Sequence, residues 1–364
     1  MEAKYKNELL DFLKRKPPKH DIVVMPDFFL DRLISLKYNP IRFSSLITDI
    51  AERKGGSIDG IKQTELRGGN AINTTSALAA LNIHATPIVC TNKLGLQWLE
   101  FYLEKYHVDL SHVKIMENAS LTTALELVTE HGKANVMLRD LGSLENFGPS
   151  TLSEADYELI DNADFVCLFN WAGTRKYGTG LAESVFQRVK IRGKGKTYYD
   201  TADPIPNREK IPKLMGAVLK TDMVDFLSLN ENEAICYASQ LNPELLKHNA
   251  AERLDELAME AGRVLAKRLP ARIDLHTTSF SATFNGKNEV VVPAFNVKAI
   301  RATGAGDSWN AGNLIGYNDD LSDESRLSLA NAVAAYYISD PEGNHPTRQD
   351  LIRFLEKHVT AFRR

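Results

Sequence analysis

Cysteine is scarce in this chain. Cys90, Cys167 and Cys236 are odd in number, far apart and in no C-x-x-C spacing. That excludes a disulfide framework or a thiolate metal site as the organising principle and points to free thiols in a reducing compartment. Long apolar runs are also missing. None approaches the ~20 residues of a membrane-spanning helix, and the opening MEAKYKNELLDFLKRKPPKH lacks the apolar core of a signal peptide. Nor is there an excess of positive charge: the net charge is -3 and the pI is near 6.3. No global field would therefore hold nucleic acid or anionic lipid. The chain shows no internal repeat, and no G-x-G-x-x-G follows its first apolar run, which makes a dinucleotide-dependent oxidoreductase a poor reading. The expectation is a soluble, cytoplasmic protein.

What is present is an ordinary enzyme composition: 364 residues, 43% hydrophobic and 25% charged. That length predicts about two domains or one large α/β unit. Residues 5–15 have helical spacing and end at Pro17-Pro18, a docking helix over residues 1–19 ahead of a main unit over 20–364. Runs at 20–25, 88–91, 165–169, 197–199 and 226–229 read as buried strands, with helical stretches between them. Residues 41–47 are expected as a strand and 49–54 as a short helical turn. Residues 121–128 alternate, and His131-Gly132-Lys133 turns them into 134–138, a hairpin with one wet face. A hairpin inside a β-α-β pattern suggests a small sheet standing over the main one. Strand-rich stretches follow at 273–278 and 281–284, and helices at 327–338 and 348–358.

Two glycine-led helix starts carry the chemistry. Thr303-Gly304-Ala305-Gly306-Asp307 follows an apolar run and opens a helical pattern. Small residues there let consecutive amides converge at a helix N-terminus, where orphan N–H groups and the helix dipole favour an anion. An aspartate in such a place suits a proton acceptor beside a transferring phosphoryl group; a plain tight turn with a capping aspartate is about equally good for this pentapeptide alone. The second start is Gly68-Gly69-Asn70-Ala71-Ile72-Asn73. Asn70 and Asn73 share one face of the first turn, and their amides suit a polyhydroxylated ligand. Packing of a small-residue helix explains the alanines but not the paired asparagines. At another strand end, Asn230 and Glu233 lie one helical turn apart. A carboxylate there can hold hydrated magnesium beside phosphate, although Asn-x-x-Glu is also a plain capping box.

With these motifs in order, the chain from about His20 to its last helix resembles the ribokinase (PfkB) family of carbohydrate and nucleoside kinases. The resemblance implies a ribokinase-like α/β fold, a doubly wound sheet flanked by helices, with a β lid from about residues 33–66 and 119–142. It implies ATP as co-substrate, Mg2+, and a sugar or nucleoside acceptor, with no nucleic-acid or membrane partner and a possible homodimer through the lid. Asp307 would be the catalytic base, with Gly304, Ala305 and Gly306 as the amide anion hole. Asp31, Gly69, Asn70 and Asn73 would hold the acceptor. Asn230, Thr277 and Asn331 would meet the nucleotide, and Glu233 the metal.

Some positions depart from the family pattern. Pro26 replaces a glycine, and Phe29 replaces a small polar residue before Asp31. His276-Thr277-Thr278-Ser279-Phe280-Ser281 stands where Thr-x-Gly-x-x-Gly is usual, and Arg301 where an acid near a monovalent-cation site is common. Potassium dependence is accordingly not expected, and Arg301 could reach a phosphate instead. The altered donor segment leaves a non-catalytic or regulatory ligand-binding protein of the same fold as the competing reading.

Overall fold

The computed structural model describes residues 3–17, 19–130, 132–192, 194–247, 253–286, 288–301 and 303–359. Its centre is an eight-stranded sheet made of β1 (Ile22–Met25), β4 (Ala85–Pro87), β9 (Phe165–Phe169), β10 (Lys196–Asp200), β11 (Phe226–Asn230), β12 (Arg272–His276), β13 (Phe280–Asn285) and β14 (Asn288–Pro293). The order is β14-β13-β12-β11-β10-β9-β1-β4. Pairings from β4 to β12 are parallel, and β13 and β14 add antiparallel at one edge.

Alternation along the strands splits the core in two. Val23 and Met25 join Val166, Leu168 and Tyr199 on one face, while Ile22 and Val24 join Phe165, Cys167 and Tyr198 on the other. Helices Glu154–Asn162, Gly178–Arg192, Glu231–Ser239 and Leu254–Arg268 cover the first face. Helices Asn70–Ala80, Ala305–Asn318, Asp323–Ser339 and Arg348–Val359 cover the second. This is the α/β architecture that the strand and helix pattern predicts, in the doubly wound, helix-flanked form that the family resemblance implies.

The helix Ala3–Lys14 packs Leu9, Phe12 and Leu13 into the second face. Its Glu8 carboxylate accepts from Ser322 N (3.0 Å), Ser322 Oγ (2.7 Å) and Ser325 Oγ (2.6 Å), and so sits on the start of the helix Asp323–Ser339. Arg348 answers from the last helix by donating to the carbonyls of Phe12 and Leu13.

A second sheet stands over one end of the first. Its strands β2 (Phe29–Ser35), β3 (Lys62–Gly68), β7 (Ser120–Thr129) and β8 (Gly132–Asp140) run in the order β3-β2-β7-β8. A two-stranded pair, β5 (Cys90–Thr91) and β6 (Lys114–Ile115), lies apart from both sheets.

Several local expectations change. Residues 41–47 are not a strand but part of one helix, Pro40–Glu52. Asn39 caps it by accepting Arg42 N at 2.8 Å, and Pro40 takes the first turn, where its missing N–H costs nothing. The run 88–91 is not one strand: β4 ends at Pro87, and Ile88 and Val89 stay buried before β5. The strand expected over 273–278 stops at His276, because the Thr277 hydroxyl turns back onto Phe280 O. His131 of the hairpin turn, Pro18 after the first helix and Ala302 before the glycine motif lie outside the described residues.

Candidate active site

Five adjacent parallel strands deliver polar residues to one edge. Asp27 follows β1, Asn170 follows β9, and Asp200, Asn230 and His276 end β10, β11 and β12. That edge, the carboxyl ends of the strands, is where open α/β sheets form ligand crevices. With the lid above, these residues border a cavity of about 980 Å³, which also receives Asp31, Gly69, Asn70, Asn73 and Gly304 to Asp307.

The floor is built from a carboxylate that never reaches solvent. Asp27, fully buried, accepts from Asn70 N (2.9 Å), Ala71 N (2.9 Å) and Asn170 Nδ2 (2.8 Å). It therefore takes the anion seat at the N-terminus of the helix Asn70–Ala80, although it lies 43 residues upstream. Burial pushes its pKa up, against the pull of these three donors. Gly69 makes the arrangement possible. Its φ is +92°, and a Cβ there would lie 2.8 Å from both the Asp27 carbonyl oxygen and Phe28 Cα.

With that seat occupied, the two asparagines of the helix are free to reach sideways. Asn70 Nδ2 donates to Asp307 Oδ1 and Asn73 Nδ2 to Asp307 Oδ2, each at 2.9 Å. Asp307 is buried in the first turn of the helix Ala305–Asn318, and its backbone carbonyl accepts from the Thr74 hydroxyl at 3.3 Å. Gly304 precedes that helix at φ +84°, where an added Cβ would meet the Tyr337 hydroxyl at 2.8 Å. The amides of Ala305, Gly306 and Asp307 open the helix with no carbonyl one turn earlier to receive them.

Burial raises the Asp307 pKa well above the usual aspartate range, and the charges of Asp200 and Asp27 add to the rise. Hydrogen bonds from Asn73 and Asn70 oppose it. A carboxyl so placed is a stronger proton acceptor than a free aspartate.

Across the cavity, the lid contributes a row of side chains set by register. Asp31 of β2 pairs with Thr122 of β7, and Thr122 pairs with Arg139 of β8, so the three share the face toward the cavity. Burial lifts the Asp31 pKa to about 6, while the Thr122 hydrogen bond and the Arg139 charge hold it down. The Asp31 carboxylate occupies the space that a Cβ on Gly68 would fill, and its Oδ1 is buried without a hydrogen-bond partner.

The other end of the cavity is less free than the motifs suggest. Asn230 and Glu233 form a reciprocal cap: Asn230 Oδ1 accepts Glu233 N, and the Glu233 carboxylate accepts Asn230 N and Nδ2. Burial first, then the charge of Asp200, raises the Glu233 pKa well above the ordinary range. Asp200 is raised by burial as well, against an Asn310 Nδ2 hydrogen bond of 2.7 Å. Thr277 Oγ is occupied by Phe280 O, Phe280 N and Ser279 N. Asn331 accepts from Ser281 Oγ and Trp309 Nε1 and donates to Pro293 O. Both therefore border the cavity with their polar atoms already used. Arg301 likewise spends Nη2 on the carbonyls of Asp340 (2.8 Å) and Pro341 (3.0 Å). No group of three or more His, Cys, Asp or Glu suited to a metal occurs among the described residues.

Sequence reasoning singled out neither Asn170 nor Arg139, and it gave His276 no role of its own. Asn170 had a signal: it follows an all-apolar strand as Asp27 nearly does, and its φ of +51° suits asparagine. His276 packs on Trp309 (ring centroids 4.9 Å apart) beside Gly306, its Nε2 is buried without a partner, and burial lowers its pKa to about 4. Arg139 depends on strand register, which no local pattern reveals.

A family model described as pfkB family carbohydrate kinase matches residues 43–350. A ribokinase of Bacillus subtilis is 27% identical over 128 residues, 34% of this chain and 42% of that protein. A nucleoside kinase of Methanocaldococcus jannaschii is 22% identical over 297 residues, 80% of this chain and 86% of that one. Among solved structures, an Arabidopsis thaliana ribokinase complexed with ribose and ATP superposes with a TM-score of 0.69 at 19% identity, covering 93% of this chain and 99% of the other. No described helix is long and apolar enough to cross a membrane.

Proposed function

The chain belongs to the pfkB family of carbohydrate kinases, and on that premise we propose that it moves the terminal phosphoryl group of ATP to a hydroxymethyl group of a sugar, sugar derivative or nucleoside. The observation that carries this reading is Asp307. Its buried carboxylate is held by Asn70 and Asn73, one residue beyond Gly306, at the mouth of a helix that faces the cavity.

Asp307 takes the proton as the acceptor oxygen bonds to the terminal phosphorus. The bond to the bridging oxygen breaks, ADP leaves, and the proton passes from Asp307 to solvent. The amides of Ala305, Gly306 and Asp307 stabilise charge on the transferring group. Asp31 and Gly69, with Asn70 and Asn73, border the acceptor end. Asn230, Thr277 and Asn331 border the donor end, the latter two as walls, since their polar atoms are engaged. Positioning is the main contribution, because in-line transfer asks for little covalent chemistry from the protein.

Glu233 and Asp200 would hold hydrated Mg2+, which screens phosphate charge when bound. Both are buried carboxylates whose pKa values are raised with no protein cation among the causes, the donor set such an ion suits. A lid-to-lid homodimer fits the outer lid face. Leu121, Val136 and Leu138 are 45–55% exposed there, and strand register places them opposite the Asp31 row.

The engaged states of Thr277 and Asn331 favour, as a second reading, a protein that binds an acceptor without transfer. A coupled assay for ADP release over a panel of sugars, sugar derivatives and nucleosides decides between them. Acceptor-dependent ADP release supports the kinase. Acceptor binding without ADP release supports the alternative.

A further inference from the structure

The main cavity does not end at the acceptor-side carboxylates. Arg139 borders it and also borders a smaller chamber of about 310 Å³ that Arg175 lines as well, both side chains being exposed. The two guanidiniums come from unrelated parts of the chain, the end of β8 and the turn after β9. That turn is built: Gly173 N and Thr174 N donate to Asn170 O, Gly173 N also donates to Asn170 Oδ1, and Thr174 Oγ donates to Trp171 O. Arg175 therefore rides on the same asparagine that holds Asp27.

Among the described residues neither arginine has an ion-pair partner within 4.0 Å. Two acids share the chamber wall, and only Glu145 faces a cation other than the arginines. Asp140 accepts Gly142 N at 2.9 Å, and Glu145 faces Lys176 Nζ at 3.8 Å. Lys210 adds a further cation beside the chamber through its bond to the Arg175 carbonyl. The Arg139 guanidinium lies over the Phe29 ring, 5.0 Å from its centroid, a cation–π contact that leaves its N–H groups free to meet an anion. Its charge also acts on both Asp27 and Asp31. A ligand whose hydroxyl reaches Asp31 thus meets Arg139 within the same row of side chains.

Resting on the kinase reading above, we propose that the acceptor carries an anionic group, carboxylate or phosphate, at the end remote from the hydroxyl it phosphorylates, and that Arg139 and Arg175 bind that group in the side chamber. Asp31 reads a hydroxyl and the arginine pair reads a charge, so an uncharged sugar fills only half of the site. The lid row makes the choice, since Arg139 arrives with the lid and Arg175 with the floor.

The test uses three acceptors that share the C5 hydroxymethyl: ribose, its open-chain acid ribonate, and ribose 1-phosphate. Calorimetry with the full-length protein reads binding, and ADP release reads transfer. We expect at least one charged member to bind and react about tenfold or more better than ribose, the preferred member telling carboxylate from phosphate. In Arg175→Ala and Arg139→Ala that charged-to-neutral ratio should fall toward one, mainly through KM, and Arg175→Lys should restore part of it. Melting temperatures of the variants report folding. Equal or better handling of ribose by the wild type, or an unchanged ratio in both alanine variants, overturns the inference while leaving the kinase reading intact. Failure of both charged members to bind also overturns it. Tight binding of a charged member with no ADP release keeps the anion site and overturns the kinase reading instead.

Discussion

The floor and the lid of the cavity are made by opposite means. On the floor, Asp27, Asn170, Asn70, Asn73 and Asp307 form a continuous chain of hydrogen bonds of 2.8–2.9 Å, all buried except the half-buried Asn70. On the lid, the helix Pro40–Glu52 buries no residue at all, Ile41 is 81% exposed, and the cavity-facing row is set by strand pairing alone. Buried polar networks are costly to disturb and so hold geometry. Half-exposed strands have little packing to lose and can vary or move. On the proposed function, the part that positions the proton acceptor is the tightly bonded one, and the part that meets the ligand's outline is the loosely packed one.

The largest effect that could break this contrast comes from Asp307. Asp307→Asn should lower kcat by about a thousandfold, within the range for losing a positioned base, while the acceptor Kd changes less than about threefold. The raised pKa means that the native state favours the protonated acid. Stability from this group is present below the ordinary aspartate range and is lost as pH rises through the folded value, so the fall in melting temperature with rising pH should be shallower in the variant. An amide offers one oxygen where the carboxylate offers two to Asn70 and Asn73, which costs stability at every pH alike. Near-normal turnover would remove Asp307 as base, and an unchanged pH slope would remove the electrostatic account of the floor.

Asp27→Ala comes next. It strands two helix amides and the Asn170 amide in a dry site, which should cost about 3 kcal/mol in denaturant unfolding. A loss under about 1 kcal/mol would mean that the floor is not held by this network.

The lid should respond to pH rather than to unfolding. Asp31 has its pKa lifted to about 6. The acceptor KM should therefore rise as pH falls through about 6, where the carboxylate gains a proton and loses an acceptor lone pair. Asp31→Asn should flatten that limb while the acid limb set by Asp307 stays. The smallest effect is expected on the lid helix. Ile41→Ser should shift the melting temperature by less than about 1 °C, as a substitution at an exposed position does. A drop of several degrees would show that a second chain or another partner covers this helix.

Legibility in the sequence follows the same division. Strands β1 and β9 stand out as all-apolar runs because a parallel sheet buries both faces, and the two glycine-led helix starts show because glycine at positive φ and orphan amides are local requirements. The helix Pro40–Glu52 was legible in its cap, Asn39 followed by Pro40, and was hidden by an apolar run that also suits a strand. What no local pattern carries is the pairing of distant groups. Asp27 on an amide 43 residues away, and Asp31 in one row with Thr122 and Arg139, exist only once register and topology are set. The Asn230–Glu233 pair shows a further limit. Its spacing suits a cap and a ligand site equally, and in the folded chain it forms the cap while bordering the cavity.

Gly69 touches the backbone at Asp27 and Phe28, one residue before β2 departs for the lid at Phe29 and one after β3 returns at Gly68. Both stalks of the upper sheet are thus pinned at a single point, on the backbone of the residue whose carboxylate seats the asparagine helix. One added methyl at Gly69 would act as a wedge under that fulcrum, splaying the stalks and tilting the helix in the same stroke. A single close approach of this kind makes the placing of the upper sheet and the placing of the helix beneath it one geometric requirement.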